Sequence, residues 1–130
     1  MSEFLIISNA NELVRIAAES IVFVASEGNY SDIYTCDKEC RTVTLQLGVV
    51  EELVHKQFRS NDLEFVRIGK CLIVNLHFVH YINPAKKQII LSDNRSFKFS
   101  IEASREALRR LKDYYDEKLN LKLKSDETNS

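Results

Sequence analysis

The sequence predicts a mainly β fold: nine or ten short strands, one short helix among them and a longer helix at the end. Three observations carry this. Apolar, β-branched and aromatic residues come in short runs, many of them alternating with polar residues as half-buried strands do. The runs are separated by brief polar segments with turn chemistry. A helical period appears in only two places, around residues 47–56 and from about residue 101 onward.

Taken in order, Phe4-Leu5-Ile6-Ile7 is a short strand, and Ser8-Asn9-Ala10-Asn11 turns the chain into Leu13-Val14-Arg15-Ile16. Ala18-Glu19-Ser20 breaks the pattern. Ile21-Val22-Phe23-Val24 is apolar throughout, so it reads as a strand buried on both faces. Ser26-Glu27-Gly28-Asn29 is a polar loop. Tyr30 to Cys36 alternates, Asp37-Lys38-Glu39 turns, and Arg41 to Leu45 returns as the hairpin partner. Leu47, Val50, Leu53 and Val54 then share one helix face, giving a helix of roughly residues 48–56 with Glu51 and Glu52 on the outside.

Polar residues 59–62 lead to Phe65-Val66, and Leu72-Ile73-Val74 is a buried strand. Phe78 to Ile82 is another, ended by Asn83-Pro84-Ala85-Lys86-Lys87, because proline cannot continue the ladder. Gln88 to Leu91 and Ser96 to Phe99 form a pair around Ser92-Asp93-Asn94-Arg95, with Phe97 and Phe99 on one face and Lys98 on the other. Helical spacing then runs from about Ile101 to about Leu119, with Ser100 as its expected N-cap. Leu108, Leu111 and Tyr115 make the apolar stripe, extended by Ile101 and Leu119. The polar segment 122–130 has no capping or packing signal. The expected organisation is one domain over residues 1–119 and a disordered tail over 120–130.

Composition narrows the function. With 130 residues and 45% hydrophobic content the chain can bury a real core. No apolar run approaches a membrane span, and Met1-Ser2-Glu3-Phe4 has no basic n-region, so a cytoplasmic protein is expected. Three cysteines, an odd number, argue against a disulfide framework. Cys36 and Cys40 lie four apart, but no histidine stands at a spacing that completes a metal site. Three scattered histidines assemble no Ser/His/Asp constellation, and no glycine-rich phosphate loop, zinc finger or helix-turn-helix pattern is present. Glu51 and Glu52 read as a solvated helix face. The expectation is a protein that is not an enzyme, with no cofactor, no metal and no small-molecule substrate.

Charge is more informative in its distribution than in its net value of −1. Residues 1–66 hold five Lys/Arg against eleven Asp/Glu, whereas residues 67–98 hold six Lys/Arg against one Asp. This basic block begins at Phe65-Val66-Arg67-Ile68-Gly69-Lys70-Cys71-Leu72-Ile73-Val74-Asn75, where Arg67 and Lys70 sit on a connection anchored by core at both ends. Two cations held so could meet a phosphate backbone. A hairpin turn with ordinary surface cations fits the same residues.

That segment resembles the signature F-x-R-x-H-R-S-x-x-V-N of the LytTR domain, the β-rich DNA-binding domain of many bacterial response regulators. Ile21 to Tyr30 resembles the family's first core strand and its Gly-Asn-Tyr loop, and Ser96 to Ser100 its closing strand before the last helix. The match extends over roughly residues 4–115. The resemblance implies an elongated ten-stranded arrangement of small β-sheets. It also implies a transcriptional regulator whose loops enter successive major grooves of double-stranded DNA, with a homodimer on direct promoter repeats as one form. There is room here for the DNA-binding domain without its receiver.

By the same resemblance, Asn29, Tyr30 and Ser31 fall where the family touches one groove, with Tyr30 equally suited to the core. Arg67 matches the signature arginine, and Lys70 stands at the place of a base reader, able to reach guanine acceptors or a phosphate. Gly69 replaces the signature histidine and Cys71 the serine, a poorer donor. After Ser100 the family often offers a basic reader. This chain has Ile101 and Glu102 there, and Arg95 or Lys98 is the expected substitute. These departures keep a second expectation open: an interaction module that modulates another regulator without binding DNA itself.

Overall fold

The computed structural model describes residues 3–59 and 64–119. The expected tail over 120–130 and most of the polar stretch 59–62 lie outside them. Among the described residues, ten strands and two α-helices follow in chain order: β1 (Phe4–Ser8), β2 (Leu13–Ala17), β3 (Ile21–Glu27), β4 (Tyr30–Thr35), β5 (Cys40–Val43), α1 (Leu47–Gln57), β6 (Phe65–Ile68), β7 (Leu72–Asn75), β8 (Val79–Asn83), β9 (Gln88–Ser92), β10 (Lys98–Glu102) and α2 (Arg105–Leu119). The mainly β fold expected from the sequence is the one observed.

The strands form three antiparallel sheets. β1 pairs with β2; the central sheet runs β5-β4-β3-β7-β6; the third runs β10-β9-β8. The central sheet is covered on both faces. On one side, Leu47, Val50 and Val54 of α1 pack with Leu5, Ile7 and Val14 of the small hairpin against Val24, Ile33, Phe65 and Ile73. On the other, Leu108 and Leu111 of α2 and Ile89 and Leu91 of β9 pack against Val22, Phe23, Leu72 and Val74. Two-sided covering is why β3 reads as a continuous apolar run.

β3 also departs from strict alternation. Ile21 and Val24 face the α1 side, while both Val22 and Phe23 face the α2 side. The pairing with β4 accounts for this, because Ile21 is opposite Thr35 and Phe23 is opposite Tyr34, leaving Val22 as the extra residue of a bulge. Phe23 then stacks on Tyr34 at 4.4 Å between ring centroids and meets Phe99 of β10 edge-on at 5.2 Å. These rings join the central sheet to the third sheet.

The start of the last helix differs from expectation. Ile101 and Glu102 belong to β10, opposite Ile89 and Gln88, and the helix begins at Arg105. Ser104, not Ser100, caps it: its hydroxyl accepts from the Ala107 N–H at 3.2 Å. Cross-strand pairing with β9 holds these residues extended, and the apolar spacing of Ile101 to Leu108 is a coincidence of sheet and helix periods. Leu108 and Leu111 are buried as expected, but Leu119 is 52% exposed and lies off the packed stripe. Farther along α2, the Tyr115 hydroxyl donates to the Leu76 carbonyl at 2.8 Å, and Tyr114 and Lys118 both donate to Glu64.

Candidate nucleic-acid interface

The register brings several connections to one end of the central sheet. β3 ends and β4 begins with Glu27 opposite Tyr30, so Gly28-Asn29 is a two-residue turn. Gly28 takes φ +63°, the left-handed geometry that a tight hairpin of this length needs and glycine adopts without cost. β6 and β7 close with Ile68 opposite Leu72 around Gly69-Lys70-Cys71, where Gly69 has φ +64°. The Ser26 N–H donates to the Cys71 carbonyl at 2.9 Å, which ties the two turns together. Gln46, just before α1, donates from Nε2 to the Asn29 Oδ1 at 3.3 Å and adds a third segment to this end.

Within the β6–β7 turn, Lys70 is exposed and its ammonium has no bonded partner among the described residues. Its carbonyl accepts from Arg67 Nη2 at 3.0 Å. The other guanidinium nitrogen of Arg67 donates to Glu51 of α1 at 3.1 Å. Arg67 thus lies on the α1 face of β6 and braces the turn that carries Lys70. Both partners of this ion pair are partly exposed, so its worth is the ordering of the turn more than its strength, about 0–1 kcal/mol. Cys71, exposed beside Lys70, is a free thiol, as are Cys36 and Cys40.

An open cleft of about 890 Å³ continues from this turn across to the third sheet. Its walls are the segment from Arg67 to Leu72, Lys87 from the β8–β9 turn, Glu102 at the end of β10 with Ala103 and Ser104 after it, and Arg110 on α2. Lys87 takes φ +55° and its carbonyl accepts from the Ala103 N–H at 3.1 Å, so the two connections are fastened to each other. Glu102 is the one carboxylate among the cleft residues. Lys87 and Arg110 were not singled out by sequence reasoning. Lys87 lies inside the basic block, but its closeness to Lys70 depends on how two sheets pack, and no local pattern carries that.

The other expected residues divide. Asn29 and Tyr30 are exposed at this end, Tyr30 by 50%, which resolves its alternatives in favour of the surface. Ser31 is corrected: it is fully buried, and its hydroxyl donates to the Leu45 carbonyl at 2.7 Å, so it offers nothing to a partner. Arg95 and Lys98 lie at the opposite end. Phe97, between them, packs on Phe78 beyond the end of β7, and Phe99 packs on Phe23 near the start of β3. Lys98 and Glu102 begin and end β10, opposite Ser92 and Gln88, so about 13 Å of strand separates Lys98 from the place where Glu102 stands.

A small, three-sheet β domain with polar and basic turns gathered at one end has the form of a nucleic-acid-binding module. Residues 11–116 match the family model of the LytTr DNA-binding domain, and the chain belongs to that family. The family is defined by binding DNA and not by catalysis, so DNA is the class of partner. Among solved structures, the chain is similar to the LytTr DNA-binding domain assigned to a methyl-accepting/DNA response regulator from Bacillus cereus. The two are 15% identical, with a TM-score of 0.56 over 90% of this chain and 96% of that one, a likeness of fold. No curated protein matches the chain. No helix among the described residues is long and apolar enough to cross a membrane.

Proposed function

We propose that residues 1–119 form the DNA-reading domain of a bacterial transcriptional regulator that recognises repeated promoter elements. The turns at one end of the central sheet enter successive major grooves. Lys70 reads a guanine edge or clamps a phosphate in one groove. Asn29 and Tyr30 meet the backbone beside it, and Lys87 meets a phosphate across the cleft. Arg67 holds the Lys70 turn in place and does not itself reach the DNA. The observation that carries this reading is the junction of exposed Lys70 and Lys87 around one cleft, with turns pinned by Arg67, Ser26 and Ala103. Pinned turns lose little entropy on binding.

The test begins with selection of a preferred duplex from a random pool, followed by fluorescence anisotropy between roughly 50 and 200 mM salt. An enriched sequence whose affinity falls steeply with salt is expected. Failure to enrich any duplex would contradict the proposal. Glu102, a carboxylate inside the cleft, favours a second reading in which the domain pairs with another regulator and leaves DNA contact to its partner. Under that reading Glu102→Gln leaves DNA affinity undetectable, whereas under the first it strengthens binding.

A further inference from the structure

Beside the cleft, between the edge strand β6 and α2, lies a separate groove of about 280 Å³. Val66 and Ile68 line it from β6 and Ala107 and Leu111 from α2, with Tyr114 and two arginines, Arg67 and Arg110, completing the lining. This is near the lower end of ligand pockets, which run from roughly 300 to 1,000 Å³. The Tyr114 hydroxyl is engaged with Glu64, so the ring offers its apolar body. Arg110 is exposed and has no bonded partner among the described residues. Gly69 roofs the groove from the Lys70 turn, where a Cβ would come within 4.0 Å of Ala107 Cβ.

We propose that this groove is a binding site for a small organic acid with an aromatic body and one carboxylate. The apolar walls remove the body from water, contributing about 25 cal/mol per Å² of apolar area. Arg110 supplies the charge-assisted, bidentate partner that a planar carboxylate fits. Of the groove's two guanidiniums Arg67 is engaged with Glu51, and the unpaired Arg110 selects this class over a neutral hydrocarbon, which leaves the cation unused. The apolar slot also selects against a bare phosphate, which leaves the walls wet. The bound acid lies directly under Gly69, the residue preceding Lys70, so occupancy acts on the turn that carries the exposed lysine. The site itself does not depend on the DNA reading.

The test uses the full chain without DNA, titrated with 1-naphthoate and followed by amide NMR. Saturable shifts centred on Val66, Ile68, Gly69 and Ala107 are expected. Arg110→Ala weakens the binding about tenfold, the loss of one charge-assisted contact, and Arg110→Lys recovers part of it. Ala107→Leu, which fills the groove, abolishes it. Because Arg110 is exposed, its variants keep the native spectrum. Absence of saturation at millimolar 1-naphthoate overturns the proposal. So do equal shifts from neutral 1-naphthamide or from inorganic phosphate. Light scattering covers the remaining occupant: a concentration-dependent dimer whose shifts map to the same residues would assign the groove to a second copy and overturn the small-acid assignment.

Discussion

The connections at the two ends of the central and third sheets are built differently. At one end the connections satisfy themselves. Asp93 accepts from the N–H groups of Arg95, Ser96 and Phe97 and from the Ser96 hydroxyl. Asp37 accepts from the Thr35 hydroxyl and the Glu39 N–H. Buried Asn75 donates to the Ile21 carbonyl at 2.9 Å and accepts from the His77 N–H at 3.0 Å. At the other end the turn backbones are pinned, but the side chains of Lys70 and Tyr30 are left outward. One end uses carboxylates and an amide to hold its turns, with Arg95 and Lys98 exposed beside them. The other fixes its backbone around an exposed lysine and an exposed tyrosine.

The largest expected effect belongs to the self-satisfied end. Asn75→Ala leaves a carbonyl and an N–H unpaired in the interior and should lower unfolding free energy by about 2–4 kcal/mol, read by urea denaturation. DNA affinity of the folded protein should be unchanged. At the outward end the signs reverse. Lys70→Ala should weaken binding to a selected duplex by about 1–3 kcal/mol if it reads a base, with Tm nearly unmoved. Lys87→Ala should act more weakly and equally on all sequences, reducing the salt slope by about one. An effect of Lys87→Ala confined to one base position would move it from phosphate to base contact.

Asp93 makes the stability of its end depend on pH. The Ser96 hydroxyl, followed by the backbone N–H groups, holds its carboxyl well below the usual carboxylate range. A folded-state pKa below the unfolded one stabilises the ionised form. That contribution is complete above the ordinary value of 3.8 and is lost as pH falls through the folded value. Asp93→Ala should therefore lower Tm at neutral pH, and the gap to the unsubstituted chain should close in acid. A gap that persists unchanged below pH ~3 would show that the charge plays no part. The smallest effect is expected for Arg95→Ala and Lys98→Ala, whose DNA affinities should match the parent.

Much of the fold was legible because it is written locally. Alternation gave the strands, and the spacing of Leu47, Val50 and Val54 gave α1. What failed was any feature decided by a distant partner. Ile101 and Glu102 suit a helix until β9 pairs with them. Ser31 falls at a groove contact by resemblance and in a strand by alternation, and the strand face it takes is decided by the distant Leu45 carbonyl, to which its hydroxyl donates. Arg95 and Lys98 belong to the same basic block as Lys70, but a hairpin carries them to the far end. The basic block marked the right stretch of chain. The length of β9 separates Lys98, opposite Ser92, from Lys87, next to Gln88, and the packing of the third sheet on the central one brings Lys87 to the cleft.

That one end of the sheet faces DNA can be read from amide hydrogen exchange of the full chain with and without a saturating selected duplex. Protection is predicted at residues 28–30, 69–71 and 86–87, with no change at 93–98. Protection at 93–98 with none at 69–71 would contradict it.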